Sequence, residues 1–160
     1  MSEPLELLEF SGKRRTALIM QTEIAECGLA CIAMVSSYYG HKLDVSSLRK
    51  VHATSFGGLN LSQMVSVASQ LELACRAVKC PLEDIGKLTL PCILHWDLNH
   101  FVVLTGVSRQ GVYINDPALG KRKLTLKEFS DHYTGVALEL TPTTNFKKTD
   151  NRERMRGFVA

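Results

Sequence analysis

A cysteine at the start of a helix, a histidine at the start of an apolar strand and an aspartate at the end of another can together make a thiol nucleophile, its base and the group that orients the base. This sequence holds one of each. Cys27 follows Gln21-Thr22-Glu23-Ile24-Ala25-Glu26 and opens a stretch that reads as an amphipathic helix. Helix starts carry unpaired N–H groups and the positive end of the dipole, which favour the thiolate, the form that attacks. His100 leads the apolar run Phe101-Val102-Val103-Leu104, and Asp116 ends a short apolar segment just before Pro117. Gln21, six residues ahead of Cys27, has a side-chain amide of the kind that steadies an oxyanion. Gly28 removes a side chain where a substrate backbone would approach.

Each residue also has an ordinary reading. Free cysteines are most often inert core, and Cys31, one helical turn after Cys27, is read that way. His41, His52, His95 and His132 compete with His100, and His95 on the preceding strand is the serious rival. Asp-Pro is commonly just a turn. Cys75, Cys80, Cys92 and His95 contain no C-x-x-C pair, so a zinc site is disfavoured and no metal is expected.

The elements that must position these groups fall in two blocks. Apolar residues at three-to-four spacing predict a helix over 27–39 stopped by Gly40, a shorter one capped by Ser46, and a third over 61–71 with Leu61, Met64, Val65, Ala68 and Leu71 on one face. After Pro81 the period changes, and strands are expected over 92–96, 101–107, 112–115, 122–126 and 136–140, with a hairpin turn at Arg109-Gln110-Gly111. Helices first and antiparallel strands second imply an α+β domain in two segregated layers. The Met64 and Val65 face suits either ordinary core or the reception of a partner helix.

A chain of 160 residues with 45% apolar content suits one domain. The tail 141–160 carries five Lys and Arg against two acidic residues, which accounts for the whole formal charge of +3 and leaves the first 140 residues neutral. A neutral body is poorly suited to nucleic acid. Five cysteines, an odd number, behind an N-terminus without signal-peptide character favour a reducing cytoplasm. No apolar run is long enough to span a bilayer, and the basic tail suits a linker toward the cytoplasmic side of a membrane segment.

Three stretches, Q-T-E-I-A-E-C-G-L-A-C-I-A-M, P-C-I-L-H-W-D-L-N-H-F-V-V-L and I-N-D-P-A-L-G, resemble the C39 peptidase family in type and order. That family forms the N-terminal cytosolic domain of peptidase-containing ABC transporters, and the resemblance is closest to exporters of the colicin V type. It implies a papain-like cysteine peptidase over 14–140, preceded by an extension over 1–13 and followed by a basic linker over 141–160 toward a transmembrane domain. It further implies removal of the leader of a secreted bacteriocin-like precursor after a Gly-Gly pair, before export. Cys27 would be the nucleophile, His100 the base, Asp116 the orienting group, and Gln21 with the Cys27 backbone N–H the oxyanion donors. Family precedent is an amphipathic leader helix in an apolar groove, which is assigned in part to Met64, Val65 and Ala68, with Trp96, Leu98 and Asn99 as cleft walls beside Gly28. The implied partners are the precursor and the transmembrane and ATPase domains at the inner membrane, with no cofactor for the peptidase domain. Relatives without the cysteine only bind cargo, and a different Cys/His/Asp acyl-transfer enzyme is a further alternative.

Overall fold

In the computed structural model, which describes residues 15–52 and 58–148, helix α1 (Cys27–Tyr39) runs through the centre of the fold. It carries no charged side chain, and every residue from Cys27 to Ser37 is buried. The helix is therefore enclosed all round, as a helix without a charged face can be. Gly40 ends it with φ of 112° and an N–H directed at the Ser36 and Ser37 carbonyls, a conformation that glycine adopts without strain.

Helix α2 (Val45–Val51) is capped by Asp44, whose carboxylate accepts from the Ser47 N–H at 2.8 Å, rather than by Ser46. Helix α3 (Leu61–Gln70) opens on a reciprocal Asn60 and Gln63 capping box. Glu72, at φ 61°, then turns the chain directly into β1 (Leu73–Lys79), a strand not predicted from the spacing. A short turn of helix at Leu82–Lys87 leads to β2 (Cys92–Trp96), β3 (His100–Ser108), β4 (Gly111–Asp116) and β5 (Gly120–Leu124). The strand expected to reach 126 stops at Leu124, because Thr125 and Glu128 form a capping box that starts α4 (Leu126–Ser130). Strand β6 (Tyr133–Pro142) follows.

The strands form one antiparallel sheet in the order β1-β6-β2-β3-β4-β5. One face packs on the helices through a core that includes Leu29, Ile32, Met34, Met64, Ile93 and Leu138. The other face has its own core of Leu94, Trp96, Leu104, Ile114 and Phe129, with Ile85 of the short turn and Phe129 of α4 closing over it. The α+β class holds, with a third, thinner layer added to the two expected.

Packing continues past residue 140. The Thr143 N–H donates to the Glu72 carbonyl at 2.9 Å, and the Phe146 ring stands edge-on to Tyr39 with centroids 6.5 Å apart. The compositional break near 141 therefore does not mark the edge of the packed domain. The proposed 1–13 extension and linker residues 149–160 lie outside the described residues. Among the described residues no helix is long and apolar enough to cross a membrane.

Candidate active site

Cys27 is the first residue of α1 and is 6% exposed. His100 opens β3 and Asp116 closes β4, and the register that sets Val103 opposite Asn115 brings Asp116 to the His100 end of the strand pair. His100 Nε2 donates to Asp116 Oδ1 at 2.8 Å. Cys27 and His100 line the same cavity, and with Nε2 occupied by Asp116, Nδ1 is the ring nitrogen left to serve the sulfur. Cys27, His100, Asp116 and Gln21 all line one cavity of about 640 Å³.

The electrostatics follow from these contacts. Burial by itself would push the His100 imidazolium down, but the Asp116 carboxylate that accepts from it and the nearby Cys27 sulfur outweigh burial and lift its pKa from 6.5 to about 9. Burial would raise the Asp116 carboxyl, yet the His100 hydrogen bond and the Ala118 and Leu119 N–H groups hold it below the usual range. Ala118 N–H donates to Oδ1 at 2.9 Å. The site is therefore built to keep imidazolium beside carboxylate. Cys31 is unlike Cys27: fully buried, its thiol is pushed well above the ordinary range by burial, as suits an inert core group.

Gln21 is tied to the Asp116 turn through its backbone N–H, which donates to the Pro117 carbonyl at 2.9 Å. Its Nε2 lies 3.2 Å from the Glu23 carbonyl and 3.3 Å from the Ile24 carbonyl, and its Oε1 is buried without a partner. Service to an oxyanion thus asks Nε2 to exchange one acceptor for another.

Trp96 and Asn99 line the cavity as expected cleft walls. Leu98 does not: it is 83% exposed at φ 71°, at the tip of the turn between β2 and β3. The groove assignment fails for Met64 and Ala68, which are fully buried beneath α1, while Val65 is partly buried against the same core. Their apolar stripe faces inward. Gly28 is buried as well, and a Cβ there would stand 2.6 Å from Met64 Sδ, so its missing side chain makes room for Met64 rather than for substrate.

His95, the rival histidine, is not in the cavity lining and instead has Nδ1 2.9 Å from Thr134 Oγ1. Cys75 packs in the helix-side core while Cys80 and Cys92 pack in the opposite one. Among the described residues no three metal-ligating side chains gather.

Two features escaped the sequence reading. His132 Nδ1 lies 2.7 Å from Asp97 Oδ1 and its ring stacks on Trp96 at 5.2 Å, which puts a second histidine and carboxylate in the cavity wall. Glu26, beside Cys27, is ion-paired to Arg49 of α2, and that guanidinium holds its carboxyl down to about 2 against the effect of burial. An acid next to the cysteine was visible, but nothing local tied it to an arginine 23 residues away.

The profile of the Peptidase C39 family matches residues 15–145. The chain is 45% identical over 139 residues to the probable microcin-H47 secretion/processing ATP-binding protein MchF of Escherichia coli, covering 87% of this chain and 20% of that protein. It is 41% identical over 151 residues to the colicin V secretion/processing ATP-binding protein CvaB of Escherichia coli, covering 94% and 22%. It thus spans about a fifth of the length of these relatives. Among solved structures, a double glycine motif protease from an AMS/PCAT transporter in complex with the leader peptide superposes with TM-score 0.76 at 37% identity, covering 83% of this chain and 96% of that one. The peptidase domain of Streptococcus ComA superposes with TM-score 0.74 at 28% identity, covering 81% and 100%. A match across nearly all the described residues, joined to this fold and to a cysteine, histidine and aspartate in one cavity, makes the chain a member of the peptidase C39 family.

Proposed function

We propose that this chain is a papain-like cysteine endopeptidase that cuts a secreted peptide precursor after a Gly-Gly pair, releasing the leader before export. The observation that carries the reading is Cys27 at a helix start, in one cavity with an imidazole that Asp116 holds at 2.8 Å. Support for the substrate class comes from the similar solved protease, a double glycine motif enzyme bound to its leader peptide.

The roles follow from the chemistry. Cys27 passes its thiol proton to His100 and attacks the carbonyl of the second glycine. The resulting oxyanion takes hydrogen bonds from the Cys27 backbone N–H and the Gln21 amide. His100 gives its proton to the leaving amine, then draws one from the water that hydrolyses the thioester, while Asp116 keeps the ring oriented through both transfers. Glycine at both positions fits a narrow crevice that has no room for a Cβ. Trp96 and Asn99 are among the walls of that crevice.

Two glycines offer little binding area, so an amphipathic leader helix docks elsewhere on the domain. With Met64 and Ala68 buried, its groove lies on another surface. Transmembrane and ATPase portions of a longer transporter at the inner membrane complete the reading, with this domain on the cytoplasmic face. Nucleic acid and cofactors have no part in it.

The test is incubation of the chain with a synthetic leader-Gly-Gly-cargo peptide, with and without iodoacetamide, followed by mass spectrometry of the products. A single cut after the second glycine, lost on alkylation and in Cys27→Ala while leader binding persists, is the expected result. Cleavage by pure Cys27→Ala would refute the nucleophile. Binding without cleavage by the unmodified chain would favour a leader-binding module.

A further inference from the structure

The segment between Gln21 and Cys27 is held by a side-chain ring that none of the chemical steps above uses. Glu26, which precedes Cys27, is 1% exposed. Its Oε1 accepts from the Thr22 N–H at 3.2 Å, the Glu23 N–H at 3.1 Å and Thr22 Oγ1 at 2.7 Å. Its Oε2 accepts from Arg49 Nε. Arg49 closes the ring, because its Nη2 donates to Thr22 Oγ1 at 2.7 Å.

A carboxylate taken out of water this completely is costly unless paired, and here every stage of the pairing returns to the same short stretch of chain. The stretch contains only one turn of tight helix, Ile24–Glu26, which has little rigidity of its own. Its two ends are the ring members Thr22 and Glu26, immediate neighbours of Gln21 and Cys27. The guanidinium fork suits the task, since it reaches a carboxylate oxygen and a hydroxyl at once from α2, where a lysine ammonium would favour one of them. Beyond the ring, Gln21 is anchored to Pro117, so the segment is tied at three places and to two different layers of the fold.

We propose that the Thr22, Glu26 and Arg49 ring is a positioning device that sets the separation of the Gln21 amide from the Cys27 backbone N–H, so that both donors meet one oxyanion. The inference rests on the peptidase reading and deepens it. The ring acts on the geometry of the donors. Activation of the thiol belongs to His100 and Asp116, on the sheet side of the cavity. Loss of the ring therefore slows acyl transfer but spares simple alkylation, which needs a thiolate and no oxyanion site.

The experiment measures kcat and KM on the leader-Gly-Gly-cargo peptide, and the iodoacetamide rate, for the wild-type chain and for Thr22→Val, Arg49→Lys and Arg49→Met. Misplacement by about 1 Å costs on the order of a hundredfold in rate, so Arg49→Met is expected to lower kcat by about that factor. Thr22→Val and Arg49→Lys, which keep the ion pair, should lower kcat about tenfold. In all three, KM and the alkylation rate should stay within about twofold of wild type, as follows when a group acts only on the transition state. Should Arg49→Met fail to fold, the two milder variants decide the matter. Unchanged kcat in both of them overturns the proposal, as does a parallel fall in alkylation and kcat, which marks a merely structural ring. A wild-type chain that alkylates but never cleaves the peptide overturns the peptidase reading itself, and this inference with it.

Discussion

Asp116→Asn removes a charge from the site while leaving a group of the same shape against the His100 ring. The amide oxygen can still accept from Nε2, which now donates to Oδ1 at 2.8 Å, and from the Ala118 N–H. Lost is the electrostatic support that, with the nearby Cys27 sulfur, overcomes burial and raises the imidazole pKa from 6.5 to about 9. That rise corresponds to at most about 3 kcal/mol in favour of imidazolium. Without the charge, burial is opposed less strongly, and the ring should titrate well below about 9.

The sign of the stability effect follows. The folded chain binds this proton more tightly than the unfolded chain, so the stabilisation is complete below pH 6.5 and disappears as pH rises through about 9. Between about pH 6 and about pH 10, wild type should lose up to about 3 kcal/mol more than Asp116→Asn. Subtracting the two curves removes the groups they share. The assay pairs urea unfolding across that range with an NMR titration of the labelled His100 ring. Equal titration midpoints in the two proteins, or parallel stability curves, would refute the electrostatic account. Activity gives a second reading: Asp116→Asn should retain more cleavage than Asp116→Ala, because an amide still orients the ring.

Gln21→Ala removes one oxyanion donor, and turnover should fall about a hundredfold to a thousandfold with the thermal transition preserved; a smaller loss on the Gly-Gly peptide would take Gln21 out of that role. Gly28→Ala should cost about 1–3 kcal/mol of stability, since the new Cβ meets Met64 Sδ at 2.6 Å in a fully packed interior. Met64→Ala alone should cost about 2–5 kcal/mol. Made together, the two should cost less than the sum, because each relieves the other; strict additivity in denaturant unfolding would show that the residues do not press on one another.

The central helix and the three chemical residues were legible because their signals are local: apolar spacing with a terminal glycine, a buried-strand run behind His100, and Asp-Pro at a strand end. Strand β1 was missed because α3 passes into it through Glu72, a left-handed residue that is not glycine, so no turn signal separated helix from strand. Helix α4 was hidden by the leucines at 124 and 126, although Thr125 and Glu128 spell a capping box that reads correctly once sought. The Met64 stripe shows the limit of periodicity, which reports that a face is apolar and is silent on what covers it. The Glu26 and Arg49 pair depended on tertiary proximity alone.

Strand β6 is the last strand among the described residues yet lies second in the sheet, between β1 and β2. As the polypeptide leaves the ribosome, the first strand has no hydrogen-bonding neighbour until residues 133–142 emerge, and β2 must leave a gap for a latecomer. Such remote pairing is slow to nucleate. The sheet that carries His100 and Asp116 is therefore completed only when residues 133–142 are in place.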